Sequence, residues 1–152
     1  MQLPLVVLAE PDPSLRELMR RTLAGAGFEV LEGGSLSHLE VHLRLGSVLR
    51  SEALLLVLGV RLAVGAAPSI RAVARERARQ LQRAADVILT YEFGTLTTIP
   101  APEVAPCRVA AIFEKPFDLQ TLQSVASACS HESDMELPEL NRAAQPGAVI
   151  LR

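Results

Sequence analysis

Apolar and polar positions along this chain fall into two alternating kinds of segment. Short, almost continuous apolar runs predict strands buried on both faces, and apolar residues at three- and four-residue spacing predict helices. The apolar runs cover residues 3–9, 28–31, 53–58, 86–90 and 109–113. The helical spacing covers residues 13–26, 36–49, 68–85 and 118–129. This order predicts an α/β fold with a doubly wound, five-stranded parallel sheet.

Local signals refine this pattern. Asp12 before Pro13 favours a helix start, because aspartate caps free N–H groups and proline suits the first helical position. The run at 53–58 is the most apolar, so we expect it to lie centrally in the sheet. Residues 92–108 contain Gly94 and three prolines, which interrupt any long helix. In an alternating order of strands and helices, a fourth helix would lie here, between the fourth and fifth strands, and we expect it to be short or missing.

The chain divides into a domain over residues 1–129 and a C-terminal tail. Residues 130–152 are mostly polar and contain Pro138 and Pro146, which predicts a flexible segment. The tail ends in a short apolar stretch at 148–151. Such a stretch can add to a sheet as a strand, dock in a groove, pack on its own domain or stay disordered. The pattern alone does not choose among these.

Composition narrows the class of protein. The chain has 152 residues, of which 49% are hydrophobic and 21% charged, and a net charge of −2. These values are typical of one globular domain with neither a basic nor an acidic excess. The two cysteines have no nearby ligand cluster, so we expect no disulfide framework, metal or other cofactor. The start shows no signal peptide and no run is long enough to span a membrane, which predicts a cytoplasmic protein.

The candidate site lies beyond the carboxyl ends of the strands, where doubly wound sheets bind ligands. The residues there are Glu10–Asp12, Gly59–Arg61, Thr90–Glu92 and Glu114–Pro116. Lys115 is the only lysine, against fourteen arginines. Arginine replaces lysine at most surface positions, but not where a compact, flexible ammonium is needed. Lys115 is therefore a candidate for a special position.

Four pieces of the chain carry a family resemblance: Leu8–Leu18, Gly59–Leu62, Val87–Thr90 and Lys115–Asp118. In this order and spacing they resemble the receiver domain of two-component response regulators, the CheY-like fold. The resemblance covers residues 3–129. It implies that an aspartate after the third strand takes a phosphoryl group, while an acidic pair after the first strand helps to hold Mg²⁺. It also implies a hydroxyl after the fourth strand and a lysine after the fifth, which read the phosphate.

Carried over residue by residue, the nucleophile position falls on Gly59, which has no side chain and cannot form an acyl phosphate. The acidic pair falls on Glu10 and Pro11, so one carboxylate is missing. Thr90 and Lys115 supply the hydroxyl and the lysine. The chain thus resembles a degenerate pseudo-receiver that lacks the phosphoacceptor aspartate. We expect Lys115 to pair with Glu10 across the mouth of the pocket.

The resemblance implies a role in bacterial-type signalling. We expect a non-phosphorylatable, receiver-like module that acts through protein–protein interaction in a two-component-type pathway and is not an enzyme. An alternative is a ligand- or anion-responsive switch, in which Thr90 and Lys115 bind an anion in the altered pocket.

A set of arginines on the third predicted helix is a candidate partner surface. These residues recur every four positions and form one positive stripe: Arg71, Arg75, Arg79 and Arg83. The stripe is either an ordinary solvated face or a docking surface for an acidic partner. It lacks interleaved aromatic residues and a recognition motif, so a nucleic-acid adaptor is the less favoured alternative. We expect a signalling protein as the partner and leave a homodimer open.

Overall fold

A computed structural model describes residues 3–35, 37–39, 54–61, 85–95, 107–130 and 148–150, with the single positions Ala72, Arg75 and Arg79. The strands in this part are β1 (Leu5–Ala9), β2 (Glu29–Gly33), β3 (Leu54–Gly59), β4 (Ala85–Tyr91), β5 (Cys107–Glu114) and β6 (Ala148–Ile150). Two helices have both ends in this part: α1 (Pro13–Gly25) and α2 (Leu119–Ser130). Positions 37–39, 72, 75 and 79 are also helical, within the second and third predicted helices.

The described strands form one sheet in the order β2-β1-β3-β4-β5-β6. The first five strands run parallel, which confirms the predicted sheet. The most apolar strand, β3, lies between β1 and β4, as expected. The sixth strand, β6, pairs antiparallel with β5, which is one of the outcomes left open for the chain end. The direction of winding reverses beside β1, and this leaves a crevice at the carboxyl ends of β1 and β3.

The described side chains of β1, β3 and β4 are all buried, on both faces of the sheet, which explains why these strands read as continuous apolar runs. On one face, Val57 belongs to a cluster with Met19 of α1 and Leu122 of α2. On the other face, Leu56 is 1% exposed, and the helical residue Leu39 is fully buried. Burying a side chain of this size stabilises the fold by about 2 kcal/mol. The sheet is therefore a rigid base for the loops at its carboxyl end.

The first helix begins and ends where local chemistry predicts. The Oδ1 atom of Asp12 accepts hydrogen bonds from Ser14 N at 2.9 Å and Leu15 N at 3.3 Å, and Pro13 is the first helical residue. Asp12 is thus an N-cap. After the helix, Gly27 adopts φ of +95°, a left-handed conformation that lets the chain turn towards β2.

Some predictions fall outside the described residues. The short or missing fourth helix concerns residues 92–108, of which 96–106 are not described. The domain boundary at residue 129 and the flexible tail over 130–152 stay predictions. Within that range, α2 ends at Ser130 and residues 148–150 form β6.

Candidate functional site at the carboxyl ends of the strands

A cavity of about 280 Å³ opens where the carboxyl ends of β3, β4 and β5 meet. Its lining residues are Pro11, Gly59, Val60, Arg61, Thr90, Glu92, Thr95 and Lys115. Gly59 and Thr90 are paired in the β3–β4 register, and Lys115 directly follows β5. The cavity therefore contains four of the five residues predicted for the degenerate pocket. The fifth, Glu10, contacts Lys115.

Glu10 and Lys115 form the expected ion pair. The Nζ atom of Lys115 donates a hydrogen bond to Glu10 Oε1 at 2.8 Å. Glu10 is fully buried, and the side chain of Lys115 is 14% exposed. An isolated buried charge costs several kcal/mol, so a carboxylate at this depth needs a cation beside it. The pair connects the end of β1 to the end of β5 across β3 and β4.

Glu92 is a second partner of Lys115 that sequence reasoning did not pair with it. Its Oε1 atom accepts a hydrogen bond from Lys115 Nζ at 3.0 Å, while half of its side chain remains exposed. A turn holds Glu92 in place, since its carbonyl accepts bonds from Thr95 N at 3.1 Å and Thr95 Oγ1 at 2.7 Å. The available signal was that Glu92 follows β4 by one residue, at the edge already chosen for the site. Lys115 therefore lies between two carboxylates.

Backbone contacts position Glu10 for this role. Glu10 N donates to Gly33 O at 3.1 Å, and Arg16 Nη1 donates to Glu10 O at 3.0 Å. The Oε1 atom of Glu10 also accepts a bond from Asp12 N at 3.1 Å. Gly34 makes room for the arginine, because a Cβ there would lie 2.9 Å from Arg16 Nη1. These contacts thus position the Glu10 carboxylate independently of its ion pair with Lys115.

The environment of Lys115 acts on its pKa in two directions. Burial lowers the pKa of the ammonium, because it removes water from the charged form. The hydrogen bonds to Glu10 and Glu92, together with their negative charge, outweigh burial and raise the pKa above its ordinary value of 10.5. Lys115 is therefore a firmly protonated cation near neutral pH, and it lacks the depressed pKa of a nucleophilic lysine.

Two buried oxygens of the site make no hydrogen bond to any residue that the structure describes. Thr90 Oγ1 and Glu10 Oε2 find no hydrogen-bond partner in the described part of the chain. Thr90 is 2% exposed and lines the cavity. Such unpaired buried groups are rare, since each costs about 1–3 kcal/mol. The hydroxyl predicted at the end of the fourth strand is thus present, and no described residue pairs with it.

The donor set does not fit Mg²⁺, the ion that the receiver resemblance implies. Pro11 and Gly59 stand at two of the expected ligand positions and offer no side-chain oxygen. Glu10 Oε1 is already bonded to Lys115 and to Asp12 N. Mg²⁺ requires near-octahedral oxygen coordination, to which one buried, lysine-bound carboxylate contributes little.

A second buried carboxylate lies at the opposite end of the sheet. Asp86 and Arg108 are partners in the β4–β5 register. Arg108 Nη2 and Nε approach Asp86 Oδ1 at 2.7 and 2.8 Å. The side chain of Asp86 is 4% exposed and that of Arg108 is 56% exposed. This pair is far from the cavity along the strands and was not predicted from the sequence.

The arginine stripe is described at two of its four positions. Arg75 and Arg79 are helical and exposed, whereas Arg71 and Arg83 lie outside the described residues. Their role as a partner surface stays a prediction. Among the helices that the structure describes, none is long and apolar enough to cross a membrane.

Comparison with solved structures gives the fold. A response regulator receiver domain protein from Bacillus halodurans matches with a TM-score of 0.57 and 21% identity, over 84% of this chain and 97% of that one. A response regulator protein from Burkholderia multivorans matches with a TM-score of 0.55 and 18% identity, over 88% and 100%. The chain has the receiver-domain fold.

The similarity of this chain to these proteins is one of three-dimensional structure. The response regulator StyR also matches, with a TM-score of 0.57 and 22% identity over 84% of this chain, which spans 59% of StyR. No protein-family model matches this chain, and no curated protein matches it either. Identities near 20% describe the fold, so function has to be argued from the site itself.

Proposed function

We propose that this chain is a non-phosphorylatable, receiver-like signalling module that acts through protein–protein interaction in a two-component-type pathway. The observation that carries the proposal is Gly59, which lines the cavity at the end of β3 beside Thr90. In the family that the chain resembles, a carboxylate at this position takes the phosphoryl group. Glycine offers no nucleophile there, and we propose that the chain is not an enzyme.

The contacts of Lys115 support the same proposal. In a phosphate-switched domain, this lysine pairs with the new negative charge. Here Glu10 and Glu92 bind the ammonium at 2.8 and 3.0 Å. The end of β5 is tied to β1 and β4 without a phosphoryl group. Control of such a module then comes from its amount, its partner or its location.

An anion-responsive switch is a second candidate, and one observation favours it. The buried hydroxyl of Thr90 has no partner among the described residues, and the lining of the cavity includes two cations, Lys115 and Arg61. An anion there would accept a bond from Thr90 and compete with Glu92 for Lys115. The two carboxylates beside Lys115 oppose anion binding, which is why we place this candidate second.

Intact-mass spectrometry after incubation with acetyl phosphate and Mg²⁺ tests the leading proposal. We expect no phosphoryl adduct on the native chain, since position 59 offers no carboxylate. The matched variant is Gly59→Asp, which restores a carboxylate at that position. An adduct on the native chain that peptide mapping assigns to the cavity residues would overturn the proposal.

A further inference from the structure

The residues of the cavity and its ion pair continue one face of the sheet. Four strands each place a residue in the core cluster beneath α1 and α2: Leu8, Val57, Ile88 and Phe113. Two positions further along the chain, and so on the same face, stand Glu10, Gly59, Thr90 and Lys115. Gly59 pairs with Thr90 in the β3–β4 register and has no side chain. It therefore leaves space beside Thr90 that a side chain would otherwise fill.

The polar groups around this space can make further hydrogen bonds. Thr90 Oγ1 has no partner among the described residues, although Thr90 is 2% exposed and lines the cavity. The ammonium of Lys115 has three N–H groups, two of which donate to Glu10 and Glu92. Glu92 uses its Oε1 atom for that bond and has a second carboxylate oxygen. A ligand in the cavity thus meets a donor on Lys115 beside an acceptor on Glu92, together with the hydroxyl of Thr90.

The charges of the described residues at the cavity favour neither an anion nor a cation. Lys115 and Arg61 line the cavity as cations, whereas Glu92 lines it as a carboxylate and the buried Glu10 binds Lys115 from behind the lining. An anion is repelled by the carboxylates, and a cation is repelled by Lys115 and Arg61. Three further lining residues are apolar or small: Pro11, Gly59 and Val60. A neutral group enters such a site at the smallest cost in lost hydration.

We propose that the cavity binds a primary carboxamide, supplied by an asparagine or glutamine side chain of a partner protein or by a small molecule. The carbonyl oxygen of the ligand accepts bonds from Lys115 and Thr90, and its N–H donates to Glu92. The volume of about 280 Å³ is sufficient, since a cavity of about 150 Å³ holds benzene. The inference rests on the proposed function only in that position 59 carries no phosphoacceptor. A phosphoryl adduct on the native chain would overturn the proposed function, whereas absent amide binding would overturn this inference alone.

An NMR titration of the labelled native chain with three molecules of one shape tests the proposal. Isobutyramide should cause saturable shifts at Gly59, Thr90 and Lys115, with a dissociation constant on the order of millimolar. Isopropyl methyl ketone has no donor and isobutyrate is charged, so each should bind about three- to tenfold more weakly. Absent saturation by isobutyramide at roughly 0.1 M, or equal or tighter binding of either analogue, overturns the proposal.

Thr90→Val tests the role of the buried hydroxyl. Valine keeps the shape and removes the donor, so isobutyramide and the ketone should both bind about three- to tenfold more weakly. The variant should fold at least as stably as the native chain, because the hydroxyl it loses has no described partner. Thr22→Val is the matched control, since its hydroxyl donates to Leu18 O within α1, and it should bind like the native chain. Unchanged binding in Thr90→Val would refute the assigned contact.

Glu92→Met tests the acceptor. Methionine has a similar length and removes the carboxylate, so isobutyramide should lose its advantage over the ketone. Because the side chain of Glu92 is 53% exposed, the variant should keep the native fold. An advantage of the amide that persists in Glu92→Met would contradict the proposed binding mode.

Two capped peptides distinguish the sources of the carboxamide. Both have two alanines on each side of a central residue, which is glutamine in one and methionine in the other. A partner's side chain is the source if the glutamine peptide displaces isobutyramide and the methionine peptide does not. A small molecule is the source if isobutyramide binds and neither peptide displaces it. Displacement by both peptides would overturn the proposal, because the side-chain amide would then not be what the cavity recognises.

Discussion

The two ends of the sheet each contain a buried carboxylate, but they neutralise it in different ways. At the amino end, Asp86 meets an exposed arginine from the neighbouring strand, at the residue directly paired with it. At the carboxyl end, Glu10 meets Lys115, which comes from a strand three positions away in the sheet. Lys115 is itself mostly buried and holds a second carboxylate, Glu92.

The two pairs differ in how much of the fold each one requires. The Asp86–Arg108 pair links two adjacent strands and needs only their register. The Glu10–Lys115 pair needs the whole topology, because its partners are 105 residues apart in the chain. The Glu10–Lys115 pair lies beside the end of β3, where Gly59 has no side chain and lines the cavity. We therefore interpret the amino-end pair as structural and the carboxyl-end cluster as the site on which the proposed function depends.

The largest effect is expected from Lys115→Ala. This change leaves the fully buried carboxylate of Glu10 without its cation, which should lower the free energy of unfolding by about 3 kcal/mol. Denaturant titration measures it. Arg21→Ala is the matched control, because its pair with Glu17 is exposed to water and should change the free energy of unfolding far less. If Lys115→Ala leaves both folding and partner binding unchanged, Lys115 has no special role.

A double-mutant cycle separates the pair from its surroundings. Glu10→Gln with Lys115→Met removes both charges and keeps both shapes. We expect the double variant to be more stable than the sum of the single losses implies, with a coupling of about 1–3 kcal/mol. Additive losses would mean that the two side chains do not interact.

Arg108→Ala should have the next largest effect, a loss of about 2 kcal/mol. Asp86 is nearly as buried as Glu10, but its partner is 56% exposed, so water can reach the carboxylate after the change. Thermal unfolding of the two alanine variants compares the two ends of the sheet directly. If Arg108→Ala lowers the free energy of unfolding more than Lys115→Ala does, then the pair at the amino end, and not Glu10–Lys115, is the more deeply buried one in energetic terms.

Alkaline pH should act on the carboxyl end. The pKa of Lys115 in the folded protein is raised above 10.5. The protonated ammonium therefore stabilises the fold fully below pH 10.5, and this stabilisation is lost as pH rises through the folded-state pKa. Burial also raises the pKa of Tyr91 above 10.0, which makes the fold lose stability above pH 10.0 in the same direction. Unfolding free energies from about pH 9 to about pH 12 should fall less steeply in Lys115→Met and in Tyr91→Phe. An unchanged slope in Lys115→Met would show that the ammonium is not stabilised in the folded state.

The smallest effect is expected from Glu92→Gln. Glu92 is half exposed, so its ion pair with Lys115 is screened by water and contributes about 0–1 kcal/mol. Unfolding measured at low and high salt tests this. A loss comparable to that of Lys115→Ala would mean that Glu92, and not Glu10, is the main partner of the lysine.

The sequence predicted the parallel sheet well, because most strands read as short, largely apolar runs, and turn or capping residues such as Asp12 separate strands from helices. It also brought Glu10 and Lys115 together, through the family resemblance and not through periodicity. The pairing of Glu92 with Lys115 was missed, although Glu92 was among the candidate residues, because the reach of a lysine side chain leaves no local pattern. Asp86–Arg108 was missed because the β4–β5 register contains a shift after Val87, which no period reveals.

The most direct test of the central claim is an NMR titration of the native chain with Mg²⁺ and beryllofluoride, which mimics the acyl phosphate of an aspartate. With glycine at 59 and Lys115 bound to two carboxylates, we expect no specific shift at Gly59, Thr90 or Lys115. Saturable shifts at these residues would contradict the account. They would mean that the cavity still binds a phosphate-like group and that the domain is a switch.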